Sequence, residues 1–262
     1  MNSIPFLKAS ACGNDFLLIE LANAPAGLDP AELTRRICDR RNGIGADGVE
    51  WISLDPEGDA RVLLFNADGS AAEISGNGTR CVAAYLVSQL KKDCVMVRTG
   101  AGLRTCTLIA RVGNRFDFDI TMGQPQIGDP LSIRIAATTV TGTPVSLGNP
   151  HFVRFVDEIQ AGWQVEAGAI TTHRDFKDGV NVELVRCVSN HAIETVFFER
   201  GAGETQSSGT GSCAAAVAAI AAGKAQSPVE VRAPGGTQVV RWEGEVFLGG
   251  PVQLIGSGEF WI

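Results

Sequence analysis

The alternation of apolar and polar positions predicts many short strands and few helices. Runs rich in β-branched and aromatic residues, bounded by Gly, Asn, Asp and Pro, indicate strands. In the first half they fall at residues 5–10, 16–21, 49–54, 62–65, 94–99, 103–112 and 115–121. In the second half they fall at 132–140, 143–146, 152–156, 180–188, 192–198, 229–232, 238–242, 245–248 and 252–255. Residues 157–176 fit neither pattern.

Three segments predict helices. The first begins at Asp29, a capping residue followed by Pro30, and is expected to run to about Arg41. The second covers residues 79–92 and offers an apolar face made of Val82, Tyr85, Leu86 and Leu90. The third, residues 213–222, is apolar all round, which is typical of a helix enclosed by a sheet.

A Gly-rich loop precedes each of the last two helices. Ser75-Gly76-Asn77-Gly78 leads into one, and Ser208-Gly209-Thr210-Gly211 leads into the other. Glycines let the backbone turn sharply and expose its N–H groups where a helix begins. Unpaired N–H groups and the positive end of the helix dipole favour a bound carboxylate or phosphate there.

The two loops are part of a longer internal repeat. Ser75 and Ser208 are 133 positions apart, and Phe65-Asn66 and Phe198-Glu199 keep that offset. Gly13-Asn14 matches Gly148-Asn149 at 135, and Asp47-Gly48-Val49 matches Asp178-Gly179-Val180 at 131. Similar short motifs that recur in the same order at nearly the same offset indicate a duplicated domain.

The repeat predicts an α+β fold of two pseudo-symmetric domains. Each is expected to wrap a mixed, curved sheet around one central helix, with the two Gly-rich loops facing each other across a cleft. We expect the domains to cover residues 1–120 and 121–251, with a closing strand for the first domain from 252–262.

Composition narrows the class of protein. The net charge is −7 and no basic run occurs, so nucleic-acid binding is not expected. No signal-peptide pattern or membrane-length apolar run is apparent, and the seven cysteines include no C-x-x-C pair. We therefore expect buried thiols in the cytoplasm, with no membrane and no metal site.

Motifs along the whole chain resemble those of the diaminopimelate epimerases, cofactor-independent enzymes that use two bases. They are Gly13-Asn14-Asp15-Phe16, Gly43-Ile44-Gly45-Ala46-Asp47, Asn66-Ala67-Asp68-Gly69-Ser70, Gly76-Asn77-Gly78-Thr79-Arg80-Cys81, Gly148-Asn149-Pro150-His151, Asn181-Val182, Glu199-Arg200-Gly201-Ala202-Gly203-Glu204-Thr205 and Gly209-Thr210-Gly211. The resemblance implies interconversion of LL- and meso-diaminopimelate, a diamino dicarboxylic acid, in the pathway to lysine and peptidoglycan precursors. It also allows a homodimer.

One departure concerns the catalytic pair. The family carries a cysteine before each Gly-x-Gly, where a thiolate removes the α-proton and the opposite thiol returns one. Here Ser75 and Ser208 occupy these positions. A thiol has a pKa of about 8.5, whereas an aliphatic hydroxyl needs an adjacent base to act. Two explanations stay open: a deliberately silenced protein, or a natural relative with slower or altered chemistry.

The residues that hold the substrate in the family are largely retained. By resemblance, the distal carboxylate and amine would be held by Asn66, Asn149, Asn181 and Arg200, with Asn14 as a further contact. The reacting carboxylate would lie at Gly76-Asn77 and Gly209-Thr210. Glu199 would meet the α-ammonium, and His151 with Glu199 would flank the catalytic pair. Gly48 stands where some members carry a glutamine.

Several alternatives remain at this point. His151 could tie down backbone carbonyls, His173 and His191 lie outside any motif, and Cys81 and Cys213 could pack as small apolar groups. The protein could be a binding homologue without catalysis, or an isomerase or dehydratase for another small acid with Glu73 or Glu204 as base. A serine hydrolase lacks its G-x-S-x-G elbow, and a nucleotide enzyme lacks its P-loop.

Overall fold

The computed structural model describes residues 2–262 as two compact units. The first unit runs up to Thr121 and includes Gly250–Ile262, and the second is Met122–Gly249. No helix within residues 2–262 is long and apolar enough to cross a bilayer.

The first unit is a ring of strands around one helix. Its strands are β1 (Ser3–Ala11), β2 (Asn14–Glu20), β3 (Gly48–Ser53), β4 (Ala60–Asn66), β5 (Ala71–Ala72), β6 (Cys94–Thr99), β7 (Gly102–Val112), β8 (Arg115–Gly123) and the end of β18 (Glu245–Trp261). Parallel pairs β2–β3 and β4–β6 alternate with antiparallel ones, and β18 pairs with both β1 and β8. The helices are α1 (Pro30–Cys38) and α2 (Gly76–Leu90), with a 3-10 turn at Leu21–Asn23.

The second unit repeats this order. Its strands are β9 (Gln126–Ile127), β10 (Leu131–Ile135), β11 (Thr138–Ser146), β12 (Pro150–Phe155), β13 (Asn181–Ser189), β14 (Ala192–Glu199), β15 (Gly203–Thr205), β16 (Val229–Ala233), β17 (Gly236–Glu243) and the beginning of β18. Parallel pairs β12–β13 and β14–β16 correspond to those of the first unit. The helices are α3 (Trp163–Thr171) and α4 (Gly209–Ala221).

Each sheet encloses one helix. Helix α2 packs against β1, β2, β3, β6 and β7, and α4 packs against β11–β14, β16 and β17. All residues of α4 from Gly209 to Ala219 are buried, and their small side chains, five of them alanine, let the strands approach. The predicted α+β class, with a mixed sheet around a central helix in each unit, is confirmed.

The predicted apolar face of the second helix is partly wrong. Val82 and Leu86 are buried, but Tyr85 is only partly buried and Leu90 is 44% exposed. Buried small residues at Cys81, Ala83 and Ala84 surround the helix instead, because the sheet encloses α2 on most sides. The helix also begins at Gly76, three residues before the predicted start.

Other element boundaries differ from the predictions for local reasons. Helix α1 ends at Cys38, not Arg41, because the carboxylate of Asp39 accepts hydrogen bonds from the backbone N–H groups of Arg41 and Asn42. The strand predicted over 132–140 is a hairpin of β10 and β11, which turns at Ala136 with φ of 51°. The undecided residues 157–176 contain α3, and the two last predicted strands are one strand, β18.

The predicted match between Asp47-Gly48-Val49 and Asp178-Gly179-Val180 is two residues out of register. The parallel ladders pair Phe16 with Gly48 in the first unit and His151 with Asn181 in the second. Asn181 therefore corresponds to Gly48, and Asp178-Gly179 belongs to the loop before β13. Gly179 has φ of +73°, so it forms a turn and cannot be the counterpart of a strand residue.

Candidate active site

Ser75 and Ser208 cap the two central helices in the same way. Ser75 is extended, with φ of −123°, and its Oγ accepts a hydrogen bond from Gly78 N at 3.0 Å. Ser208 has φ of −135°, and its Oγ accepts from Gly211 N at 3.1 Å. Each hydroxyl oxygen thus meets the positive end of a helix dipole, which stabilises negative charge on that oxygen.

Asn14 is held in the first unit by a cluster of charges. Its Nδ2 donates to Asp47 Oδ2 at 2.6 Å, and Arg40 Nη2 bridges Asp47 and Asp15 at 2.7 and 2.8 Å. Lys8 Nζ lies 2.9 Å from Asp15. Burial would raise the pKa of Asp15, but the hydrogen bonds from Arg40 and Lys8 outweigh it and lower that pKa. The cluster fixes the Asn14 amide, and Asp47 does more than form a turn.

The side chain of Asn77 is committed within the first unit. Asn77 is fully buried, its Nδ2 donates to Asn14 Oδ1 at 3.3 Å, and its Oδ1 accepts from the buried guanidinium of Arg80. A ligand at this helix start would therefore meet the backbone of Gly76 and Asn77. Asn66 is the last residue of β4, and its Nδ2 donates to Ser70 Oγ at 3.0 Å.

Ser208 has a carboxylate beside it. Glu199, the last residue of β14, accepts a hydrogen bond from the Ser208 hydroxyl. Burial raises the pKa of Glu199, and this hydrogen bond and the charge of His151 lower it by less. A carboxyl with a raised pKa next to a hydroxyl is the arrangement that lets a serine give up its proton.

His151 links a buried glutamate to the start of α4. Its Nδ1 lies 2.7 Å from Glu183 Oε1, and its Nε2 lies 3.0 Å from Asn149 Oδ1. Because Asn149 Nδ2 donates to Thr210 Oγ1 at 3.1 Å, Asn149 Oδ1 is the acceptor and His151 Nε2 carries a proton. Burial raises the pKa of Glu183, and the charge and hydrogen bond of His151 lower it by less. The alternative that His151 ties down backbone carbonyls is wrong, because both ring nitrogens meet side chains.

Asn181 and Arg200 are joined through the backbone. Asn181 Nδ2 donates to Pro150 O at 3.1 Å, and its Oδ1 accepts from Arg200 N at 2.9 Å. The Arg200 guanidinium donates to Asp178 O at 2.9 Å. The second unit therefore brings together Asn149, Asn181, Arg200 and the start of α4, as the first brings together Asn14, Asn77 and Ser75.

Two buried glutamates were missed from the sequence. Glu50 on β3 and Glu183 on β13 are 1% and 0% exposed, and both lie against the first turn of the enclosed helix. A Cβ at Gly78 would collide with Glu50 Oε1, and one at Gly211 would come within 2.7 Å of Glu183 Oε1. Each has an apolar residue on either side in its strand, and they are 133 positions apart, so the repeat contained a signal for them.

The remaining candidates lie elsewhere. Glu73 and Glu204 are exposed, whereas Glu199 is half-buried, and Glu204 accepts a hydrogen bond from Gln164 at 2.9 Å. His173 and His191 contact backbone carbonyls. Cys81 and Cys213 are fully buried, as expected, but the expectation of buried thiols is wrong for Cys94 and Cys187, which are exposed.

Comparisons with known structures support the fold. A hydroxyproline epimerase from Agrobacterium vitis, solved with bound trans-4-hydroxy-L-proline, superposes with a TM-score of 0.77 at 18% identity and covers 99% of this chain and 91% of its own. A probable proline racemase from Agrobacterium radiobacter gives 0.79 at 18% identity, covering 99% and 93%. A predicted epimerase from Pseudomonas aeruginosa gives 0.75 at 15% identity and covers 99% of both chains.

Sequence comparisons are more specific. The diaminopimelate epimerase family profile matches residues 6–127 and 143–255. The diaminopimelate epimerase of Pelotomaculum thermopropionicum is 36% identical over 276 residues, which cover 97% of this chain and 98% of that protein. That of Acidiphilium cryptum is 36% identical over 270 residues, covering 97% and 95%. The chain therefore belongs to the diaminopimelate epimerase family.

Proposed function

We propose that this protein is a diaminopimelate epimerase-type isomerase, in which Ser75 and Ser208 take the proton-transfer positions at the α-carbon of diaminopimelate. The observation that carries the proposal is the Ser208 hydroxyl, which meets a helix N–H on one side and the Glu199 carboxylate on the other. Family membership supplies the substrate class, an amino acid, and the related enzymes supply its name.

The proton balance of the first step uses Ser208 and Glu199 together. The substrate's α-proton passes to Ser208 Oγ while the hydroxyl proton of Ser208 passes to Glu199, so Glu199 ends with one more proton. The raised pKa of Glu199 suits this role, because a general base works best when its pKa approaches the working pH. The negative charge that develops on the substrate carboxylate would be stabilised by backbone N–H groups at Gly209 and Thr210.

The second step returns a proton to the other face of the α-carbon. Ser75 is the donor in this proposal, and the Gly78 N–H and the dipole of α2 stabilise the oxygen that loses the proton. The residue that ends β4 is Asn66, whereas Glu199 ends the corresponding strand β14. An amide cannot accept the hydroxyl proton as a carboxylate does, so the two serines are unequal: Ser208 is the better base.

Binding of the substrate's non-reacting end would use the polar groups of the second unit. The Arg200 guanidinium presents a planar fork that matches a carboxylate. Asn149 directly precedes β12, and Asn181 is the first residue of the neighbouring strand β13. In the first unit, Asn14 and the backbone of Gly76 and Asn77 complete the set of proposed contacts. Each of these side chains is already positioned by hydrogen bonds within its own unit.

Exchange of the α-proton in D₂O, followed by NMR on LL- and meso-diaminopimelate, tests the proposal. Ser208→Ala and Glu199→Gln should each lower exchange by about 10²-fold or more, the range for losing a general base. Ser75→Ala should still allow exchange of one stereoisomer without inversion, since the Ser208 side is intact. Ser88→Ala, on the same helix as Ser75 but bonded to Ala84 O, is the matched control. Exchange that survives unchanged in Ser208→Ala would contradict the proposal.

A further inference from the structure

Glu50 is an acid buried under the first turn of α2. It lies on β3 between Val49 and Trp51, which face the core beneath α1, so alternation along the strand directs Glu50 to α2. A Cβ built at Gly78 would collide with Glu50 Oε1 and lie 3.2 Å from Ser75 Cβ. The Glu50 carboxyl and Ser75 therefore flank the same backbone atom at the start of this helix.

Among residues 2–262, no basic group is paired with Glu50 to compensate the charge that it would carry. Its Oε2 is buried without a hydrogen-bond partner, and the residues paired with it on β2 and β4 are Leu18 and Leu64. Burial alone raises the pKa of Glu50 to about 8. The carboxyl is therefore protonated through most of the neutral range.

Other ionisable groups in this core do not change that state. Cys81 and Arg80 are on α2, Cys12 follows β1, and Asp15 is on β2. Burial raises the pKa of Cys81, and the charges of Glu50 and Asp15 raise it further. The guanidinium of Arg80 contacts Asn77, and Asp15 is held by Arg40 and Lys8.

In the second unit, the corresponding buried glutamate has a histidine as its partner. Glu183 lies under the first turn of α4 as Glu50 lies under that of α2, but His151 is 2.7 Å from it. In the second unit, His151 pairs with Asn181, the first residue of β13. In the first unit, Phe16 occupies the corresponding place and pairs with Gly48, the first residue of β3. Phenylalanine has no polar atom to offer a carboxyl, so Glu50 lacks the kind of partner that Glu183 has in His151.

We propose that Glu50 is a positioning residue whose bound proton permits the start of α2 to hold the substrate's carboxylate. When Glu50 is neutral, the backbone N–H groups of the first turn that do not donate to Ser75 can donate to a ligand, and the positive end of the α2 dipole favours an anion there. With Glu50 ionised, a negative charge under that turn repels the anion. This inference rests on the proposed function for the identity of the ligand, and extends it by naming the group that makes binding pH-dependent.

The size of the effect follows from proton linkage. If only the protonated form binds the anion, apparent affinity falls about tenfold at one pH unit above the pKa of Glu50, and is unaffected well below it. Replacing the carboxyl by the isosteric amide in Glu50→Gln fixes the neutral form, and should abolish this dependence. A purely structural role for Glu50 would change affinity equally at every pH.

Calorimetric titration with meso-diaminopimelate tests this between about pH 6.5 and about pH 9. The ratio of the dissociation constants of the wild-type protein and Glu50→Gln cancels the ligand's own titration. We expect that ratio to rise about tenfold across the range. Glu158→Gln, which removes an exposed carboxylate, should follow the wild-type protein. A ratio that stays constant would overturn the inference.

A measurement without ligand separates this inference from the proposed function. Infrared difference spectra between the wild-type protein and Glu50→Gln report the carboxyl proton directly, and Glu50→Leu, which matches Leu18 and Leu64, serves if the amide is not tolerated. We expect the protonated-carboxyl band to persist at neutral pH. A Glu50 already ionised at about pH 6 overturns the inference, whereas absence of diaminopimelate binding at every pH contradicts the proposed function instead.

Discussion

Glu50 should make the stability of the first unit decrease as pH rises. Its pKa is raised by burial from an ordinary 4.5 to about 8. At about 1.36 kcal/mol for each pH unit, that difference corresponds to roughly 5 kcal/mol. Since domains are typically stable by about 5–15 kcal/mol, one side chain accounts for a large part of the margin.

The sign follows from which state binds the proton more tightly. The folded state does, so stability is fully present below the unfolded pKa near 4.5 and is lost as pH rises towards about 8. Above that value the folded protein keeps a buried charge. Glu50→Gln has no proton to lose, so the variant should be less sensitive to pH over this window.

Urea unfolding of the wild-type protein and Glu50→Gln at several pH values measures the effect. Trp51, next to Glu50 and hydrogen-bonded to Thr34 at 3.2 Å, gives a fluorescence signal from the first unit when the other tryptophans are replaced by phenylalanine in both proteins. The difference in unfolding free energy should change by roughly 4 kcal/mol between about pH 5 and about pH 9, because Glu50 of the unfolded chain is already mostly ionised at about pH 5. Other titrating groups cancel in this difference. A difference independent of pH would refute the reasoning.

Three further predictions follow from contacts around the two helix starts. His151→Phe reproduces the first unit's arrangement and should destabilise the protein by about 3–5 kcal/mol at neutral pH, because Glu183 loses its partner; the loss should shrink as pH falls and the carboxyl is protonated, as measured by urea unfolding. Gly78→Ala should cost about 1–3 kcal/mol in thermal unfolding, because its Cβ meets the Glu50 carboxyl. Arg200→Ala should weaken calorimetric binding of diaminopimelate by about 1.5–3 kcal/mol, the range for a charge-assisted hydrogen bond.

Each of these changes has a matched control in the chain. His191→Ala removes an exposed imidazole that contacts only backbone carbonyls, and should be nearly neutral. Gly168→Ala lies in α3, where the new Cβ would meet Phe198 at an ordinary 3.4 Å, so it should not destabilise. Arg174→Ala removes a 90% exposed side chain and should leave binding unchanged. Equal effects in a variant and its control would contradict the corresponding argument.

The repeat made the fold predictable from the sequence. A helix that is apolar all round requires a sheet on most sides, and the 133-residue offset required the same construction twice. Boundaries were less predictable where one side chain decides them. Asp39 ends α1 by accepting two backbone N–H groups, and the turn at Ala136 splits one predicted strand into a hairpin.

The helix caps at Ser75 and Ser208 were predictable from the sequence, but the side chains that contact them were not. The Gly-x-Gly loops showed that Ser75 and Ser208 would cap helices, since a serine before a helix accepts a backbone N–H. The repeat already aligned Asn66 with Glu199, but nothing local to the sequence showed that Glu199 bonds to Ser208. That contact depends on how the end of β14 lies against the start of α4, which is a tertiary effect.

The burial of Glu50 and Glu183 was not predicted from the sequence, for a different reason. A lone Glu50 between Val49 and Trp51 has the strand pattern of a residue exposed on one face of a sheet. Its burial follows from the helix that covers that face, which is a tertiary effect. Aligning the repeats at 133 in this region, as the parallel ladders require, would have paired Glu50 with Glu183 and drawn attention to both.

The most direct test of the central claim compares the unmodified protein with Ser75→Cys/Ser208→Cys. Both are incubated with LL- and meso-diaminopimelate in D₂O, and α-deuteration and stereochemistry are followed by NMR. A thiol, with a pKa of about 8.5, is a far better acid and base near neutrality than a hydroxyl. The account predicts slow exchange by the unmodified protein and much faster exchange with epimerisation by the double variant, while either single change recovers little because the two groups act as a unit. A double variant that neither exchanges nor epimerises would contradict it.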